Sequence, residues 1–199
     1  MDADAARRRR AAAIAGHDGD EAGARAALGD PEPRVRATAL GALERLGVLA
    51  TDDVATALVD PSVIVRRRAC EATAKVPGHE PPSLLTVLGD DDTTVVEVAA
   101  WASGEREPAE PGAVRALAQL AVEHGDALVR EAAVAALGAI GDPAGLPAIL
   151  TALEGKATVR RRAVLALAPF EGAEVDAALE RGRSDRDWQV RQAAEDLSG

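Results

Sequence analysis

Three histidines, one cysteine and two tryptophans are the residues of this chain with the widest chemical repertoire. His17, His79 and His124 each fall at a predicted inter-helix loop, and His79 is followed by Glu80. A structural zinc site needs about four converging nitrogen or sulfur ligands. With Cys70 as the single thiol, no such set can be assembled from Cys and His. Cys70 lies in an apolar column with no predicted histidine neighbour, so it reads as an inert buried thiol and not as a nucleophile. No Gly-x-Ser-x-Gly elbow or phosphate-binding loop occurs, and the run Gly138-Ala139-Ile140-Gly141-Asp142 ends a helix. The expectation is a non-enzymatic chain without metal or cofactor.

The remaining chemistry is charge. Arg67, Arg68, Glu71 and Lys75 cluster in one stretch, and Arg161 and Arg162 in another. Guanidinium forks match carboxylates, so two basic clusters on a chain of net charge −10 suit an acidic segment of a protein partner. Phosphate backbones are repelled by 33 acidic against 23 basic residues, which disfavours nucleic acid as a ligand. No apolar run follows the opening Met1-Asp2-Ala3-Asp4 and Arg7 to Arg10 that would serve as a leader or membrane span. A single cysteine fits a reducing compartment, and the reading is a soluble cytoplasmic protein. Lys75 and Lys156 are the only lysines and asparagine is absent, a bias we read as GC-rich bacterial coding.

Positioning these residues falls to a repeat. Val35-Arg36, Val65-Arg66, Val129-Arg130, Val159-Arg160 and Val190-Arg191 recur, and Val96-Glu97 fills the gap, giving steps of 30, 31, 33, 30 and 31 residues. An alanine stands four residues after each Val: Ala39, Ala69, Ala100, Ala133, Ala163 and Ala194. Residues i and i+4 share a helix face, so each pair marks the buried stripe of a helix, here termed helix B. Before it comes an acidic or proline turn, such as Asp30-Pro31 or Asp60-Pro61. Before that turn lies a second apolar segment, helix A, such as Leu84-Leu85-Leu88 or Leu146-Ile149-Leu150-Leu153. One hairpin cannot bury both faces, so neighbours must stack.

Asp-Pro-x-x-x-Val-Arg-x-x-Ala and Asp-x-x-Trp-x-Val-Arg-x-x-Ala resemble HEAT repeats of the short bacterial type, which is also found in phycobilin lyases. The resemblance spans about residues 20–199. It implies an all-α, right-handed α-α superhelix of five and a half to six hairpins: one domain, 1–199, with a capping helix and loop at 1–19. Repeats fall near 20–50, 51–78, 79–107, 108–142, 143–172 and 173–199. Arg8 to Ala15 resembles the helix B stretch Arg160 to Leu167 and supplies the cap. In such an array the B helices line the concave surface.

Read as an internal alignment, the Arg after each Val pairs with acids in its own or the next turn. The column two past the Val, Ala37, Arg67, Val98, Glu131, Arg161 and Gln192, has a solvent-facing profile. The candidate binding surface is therefore Arg67, Arg68, Lys75, Val98, Trp101, Glu131, Arg161 and Arg162. Trp101 shares a mostly apolar column with Leu40, Cys70, Val134, Val164 and Glu195, which reads it as core; the functional alternative makes Val98 and Trp101 an apolar anchor beside the acidic loop 105–111. Trp188 belongs to the turn motif and reads as structural packing. The function this implies is a protein-interaction scaffold or adaptor. A bilin lyase-like enzyme, another HEAT-fold enzyme or an accessory subunit of one is the alternative, although the single dyad His79-Glu80 departs from the several dyads of HEAT-fold di-iron hydroxylases. A HEAT-like DNA glycosylase is a lesser one, which the net charge opposes.

Overall fold

The computed structural model describes residues 3–73 and 81–198, and every regular element among them is helical. The contacts gather into two compact units, Met1–Leu84 and Leu85–Gly199. The first holds α1 (Ala3–Asp18), α2 (Glu21–Ala26), α3 (Pro33–Leu46), α4 (Thr51–Leu58) and α5 (Val63–Thr73). The second holds α6 (Thr93–Gly104), α7 (Ala113–Glu123), α8 (Ala127–Ile140), α9 (Leu146–Ala152), α10 (Ala157–Ala166), α11 (Ala173–Arg183) and α12 (Trp188–Ser198). The B helices are α3, α5, α6, α8, α10 and α12, with α1 packed on α3 as a further one.

Five of the six B helices, all but α10, start from a turn written in the sequence. The Asp30 carboxylate accepts from Glu32 N at 2.8 Å, Asp60 from Ser62 N at 2.8 Å, Asp90 from Asp92 N at 2.9 Å and Asp185 from Asp187 N at 2.8 Å. Asp92 and Asp187 then cap their helices, each accepting a backbone N–H two residues on at 2.9 Å. In the fourth repeat His124 takes the Asp place, its Nδ1 accepting from Asp126 N at 3.1 Å. Gly47 and Gly141, at φ 71° and 67°, end α3 and α8 in the left-handed conformation that glycine adopts without strain.

These turns fix the register, and they move it by one residue in the third repeat. Val35, Val65 and Val95 donate their N–H groups to the carbonyls of Glu32, Ser62 and Asp92, three residues back. The repeat valine is therefore Val95, not Val96, and Val96 occupies the Arg column. Glu97 joins Arg67, Glu131 and Arg161, while Val98 joins Thr38, Arg68, Ala132 and Arg162 in the next column. Val35, Val65, Val95, Val129, Val159 and Val190 are at most 1% exposed, and the alanines four on, Ala99 now among them, are fully buried. Burying such a valine contributes about 1.5–3 kcal/mol, so these twelve positions form the spine of the core.

Three other expectations change. Trp101 shifts to the column of Gly41 and Ala135 and stands 43% exposed, so it is not core. Trp188, at the first position of α12, is 65% exposed and does not pack as expected. The helix expected around Leu84–Leu88 is only a single tight turn, Val87–Gly89.

Neighbouring B helices touch backbone to backbone. A Cβ added to Gly16, Gly104 or Gly138 would come within 2.7 Å of the Cα of Ala42, Ala136 or Ala166 on the next helix. Small residues at these crossings hold the helices side by side, so their remaining faces form continuous surfaces within each unit.

Candidate functional site

The arginines after the repeat valines are consumed by architecture. Arg36 donates Nε and Nη2 to the Asp60 carboxylate at 2.8 and 2.7 Å, and Arg160 makes the same fork to Asp185 at 2.8 and 2.7 Å. Arg8 of α1 reaches Asp30 at 2.7 Å. Each joins one repeat to the acid of the following turn. The remaining Nη1 returns to a carbonyl of its own turn: Arg36 to Asp30 O at 2.8 Å, Arg66 to Asp60 O at 2.9 Å and Arg191 to Asp185 O at 2.8 Å. The Arg160 guanidinium holds the Asp185 carboxyl below its ordinary range, and Arg8 does the same for Asp30. At the register-corrected positions 96 and 124 this ladder has Val and His instead.

Opposite this edge the B helices expose a stripe whose helical positions lie one before and two, three, six and ten past the valine. On the first unit the stripe carries Arg67, exposed on α5, and Arg68, half-buried. Arg68 is held by Glu44 and, at 3.0 Å, by Glu71. Lys75 lies outside the described residues. On the second unit α6, α8 and α10 pack in sequence and bring together Val98 and Trp101, Glu131, and Arg161 with Arg162. Val98, Glu131 and Arg162 are half-buried and Arg161 is exposed. Five of the eight expected residues thus share one surface of the second unit, and two lie on the first.

The sequence reading missed two groups on these stripes. Leu128, on α8, is 55% exposed and seven residues before Ala135, which places it on the same stripe as Trp101 of α6. Arg9, Arg10, Arg34 and Arg45 are exposed on the stripe of the first unit. The signal for Arg9 and Arg10 was present in the likeness of α1 to a B helix.

On the A side of the second unit, a cavity of about 410 Å³ is lined by Leu85, Leu88, Ala116, Leu120 and His124. Among the described residues no three His, Cys, Asp or Glu side chains come together as metal ligands, and His79 and Glu80 lie outside them. Cys70 is buried and carries no disulfide. No described helix is long and apolar enough to cross a membrane.

The family of HEAT repeats matches this chain three times, over residues 22–104, 81–168 and 114–198, without distinguishing the phycobilin-lyase-like subtype. Among solved structures, YibA of Escherichia coli aligns at a TM-score of 0.63 and 18% identity, over 86% of this chain and 67% of that one. Human deoxyhypusine hydroxylase aligns at 0.50 and 22%, over 96% and 77%. Computationally designed armadillo repeat proteins for modular peptide recognition align at 0.50 and 17%, over 96% and 89%. At these identities the likeness shows the fold alone. No curated protein matches the sequence.

Proposed function

The chain belongs to the HEAT-repeat family, and from that premise we propose that it is a non-enzymatic scaffold that holds a protein partner on the exposed stripe of its B helices. The same fold serves modular peptide recognition in designed armadillo proteins and an enzyme in human deoxyhypusine hydroxylase, so the choice rests on the residues. One observation carries it. The ladder arginines on the turn edge are engaged by carboxylates or carbonyls, whereas Arg67 and Arg161 on the stripe have no acceptor among the described residues. A guanidinium left open on a surface is a ready half of a charge-assisted hydrogen bond, and its complement is a carboxylate of a partner segment. Trp101, Val98 and Leu128 supply an apolar anchor of the kind that dominates interface energetics. The single buried cysteine suits the cytoplasm of a bacterial cell.

Affinity capture from a lysate of the source cell, with the native chain beside an Arg67→Glu/Arg161→Glu variant, tests the reading. The native chain retains a partner that the variant loses at unchanged helical content. A partner held equally by both would show that the stripe is not the binding face. A chromophore or metal travelling with the purified chain, seen by absorbance or elemental analysis, would move the reading to an enzyme.

A further inference from the structure

Residues 1–84 carry 12 basic and 13 acidic side chains, while residues 85–199 carry 11 and 20. The first unit is thus close to neutral, yet its charges are sorted by face. Of its turn and A-helix acids Asp30 binds Arg8, Glu21 and Asp53 bind Arg25 and Asp60 binds Arg36, and on α1 Asp4 binds Arg7 and Arg8, while Asp18, Asp20, Glu32 and Asp52 form no ion pair among the described residues. On the B-helix stripe the described acids are Glu44 and Glu71, and Arg68 takes both. Arg9, Arg10, Arg34, Arg45 and Arg67 remain, each exposed and with no side-chain acceptor among the described residues. Arg45 leans across the helix boundary, its Nη1 lying 3.0 Å from the point that a Cβ on Gly16 of α1 would occupy. The floor between these arginines is Ala13, Ala37 and Gly41, small enough for a peptide backbone to approach.

We infer that this face of the first unit is a receptor for an extended acidic peptide segment, gripped by Arg9 and Arg10 of α1, Arg34 and Arg45 of α3 and Arg67 of α5. The inference rests on the scaffold reading above and names its partner chemistry and place. Three helices about 8–10 Å apart present a face about 20 Å across, which an extended segment of about six residues spans at ~3.3 Å each. Guanidinium forks bind carboxylates in pairs of parallel hydrogen bonds, and no carboxylate of the face competes because Arg68 withdraws both. A single-stranded nucleic acid would seek aromatic platforms, and residues 1–84 contain no Trp, Tyr or Phe.

Fluorescence anisotropy of a labelled oligo-glutamate peptide, titrated with the full chain at low salt, tests this. The native chain binds, and affinity falls as added salt shortens the Debye length. Arg9→Glu/Arg34→Glu/Arg67→Glu weakens binding at least about tenfold, as three exposed pairs worth up to ~1 kcal/mol each imply. The neutral Arg9→Gln/Arg34→Gln/Arg67→Gln variant, matched to native by circular dichroism, weakens it in the same direction. Arg115→Glu/Arg181→Glu, exposed on the A helices α7 and α11 of the second unit and outside the stripe, leaves it within about twofold. The inference is overturned if the native chain does not bind, or if both first-unit triple variants bind like native. A loss confined to a parallel Arg161→Glu/Arg162→Glu variant of the second-unit stripe overturns it too but leaves the scaffold reading standing. Displacement of the peptide by DNA or RNA of equal charge more readily than by unlabelled peptide would transfer the face to nucleic acid.

Discussion

Gly138→Ala should destabilise the second unit, although the same exchange in a free helix is favourable. Alanine is preferred over glycine in a helix interior by about 1 kcal/mol. At Gly138, however, the new methyl would meet Ala166 Cα and Cβ at 2.7 Å and Ala166 O at 3.0 Å. Carbon pairs rest at ~3.5–4.0 Å, so α8 and α10 must part by about 1 Å, and the atoms in the way are largely backbone. Overpacking costs about 1–3 kcal/mol, the upper end where backbone must move. Net of propensity, the variant should lose about 2 kcal/mol and about 4–8 °C in Tm for a chain of this size. Gly41→Ala on α3 is the matched control, since its new Cβ would meet only the flexible tip of Arg68 at 3.3 Å. It should be neutral or more stable by up to ~1 kcal/mol. Thermal and urea melts followed by circular dichroism compare the two. A Gly138→Ala chain as stable as the native would refute the close crossing of α8 on α10, and with it the continuity of the stripe.

Two further predictions probe the ladder. Asp185→Asn should cost about 1.5–3 kcal/mol at neutral pH, because it removes the charge on which the Arg160 fork closes. The folded carboxyl titrates below its unfolded value of about 3.9, so its contribution is complete above that value and lost as pH falls through the lower folded pKa. The difference between native and variant in urea melts should therefore shrink between about pH 5 and the acid limb; a constant difference would contradict the assignment. Val96→Arg should destabilise alone, since position 124 offers histidine where the ladder has Asp, and His124→Asp added to it should restore at least ~1 kcal/mol. Glu97→Arg should show no such coupling to His124→Asp, and additive melts for the Val96 pair would sink the corrected register.

The fold was legible because six near-copies of one pattern were printed in the chain, and valine, alanine and turn acid each carry one structural meaning. The register of the third repeat was not. Val95-Val96 and Ala99-Ala100 satisfy the i, i+4 rule in either frame, and only the hydrogen bonds of Asp90 and Asp92 choose between them. That choice exposes Trp101, which a one-residue slip had placed among Leu40 and Cys70. The short turn at Val87–Gly89 was overread because the spacing of Leu84, Leu85 and Leu88 fits a single turn as well as a longer helix. For the binding face, Arg67 and Arg161 were visible as a column. Arg34 and Arg45 were not, since they sit one before and ten past the valine, and only a stripe drawn on the helix joins them to Arg9 and Arg67.

The paired departure at 96 and 124 says what the ladder requires. A guanidinium buried against the next turn is tolerable only when a carboxylate meets it, because an unmatched buried charge costs more than a matched one returns. Where the turn supplies His124, the preceding helix supplies Val96, 2% exposed, a side chain that needs no carboxylate. An Arg retained there would face an imidazole whose Nδ1 is already engaged by Asp126 N. The stripe arginines of the first unit follow the opposite logic: exposed in water, they bear little penalty for lacking a partner, so nothing in folding selects their arrangement. Their concentration on one face, in a unit whose other described arginines are all engaged, is therefore better explained by a ligand than by stability.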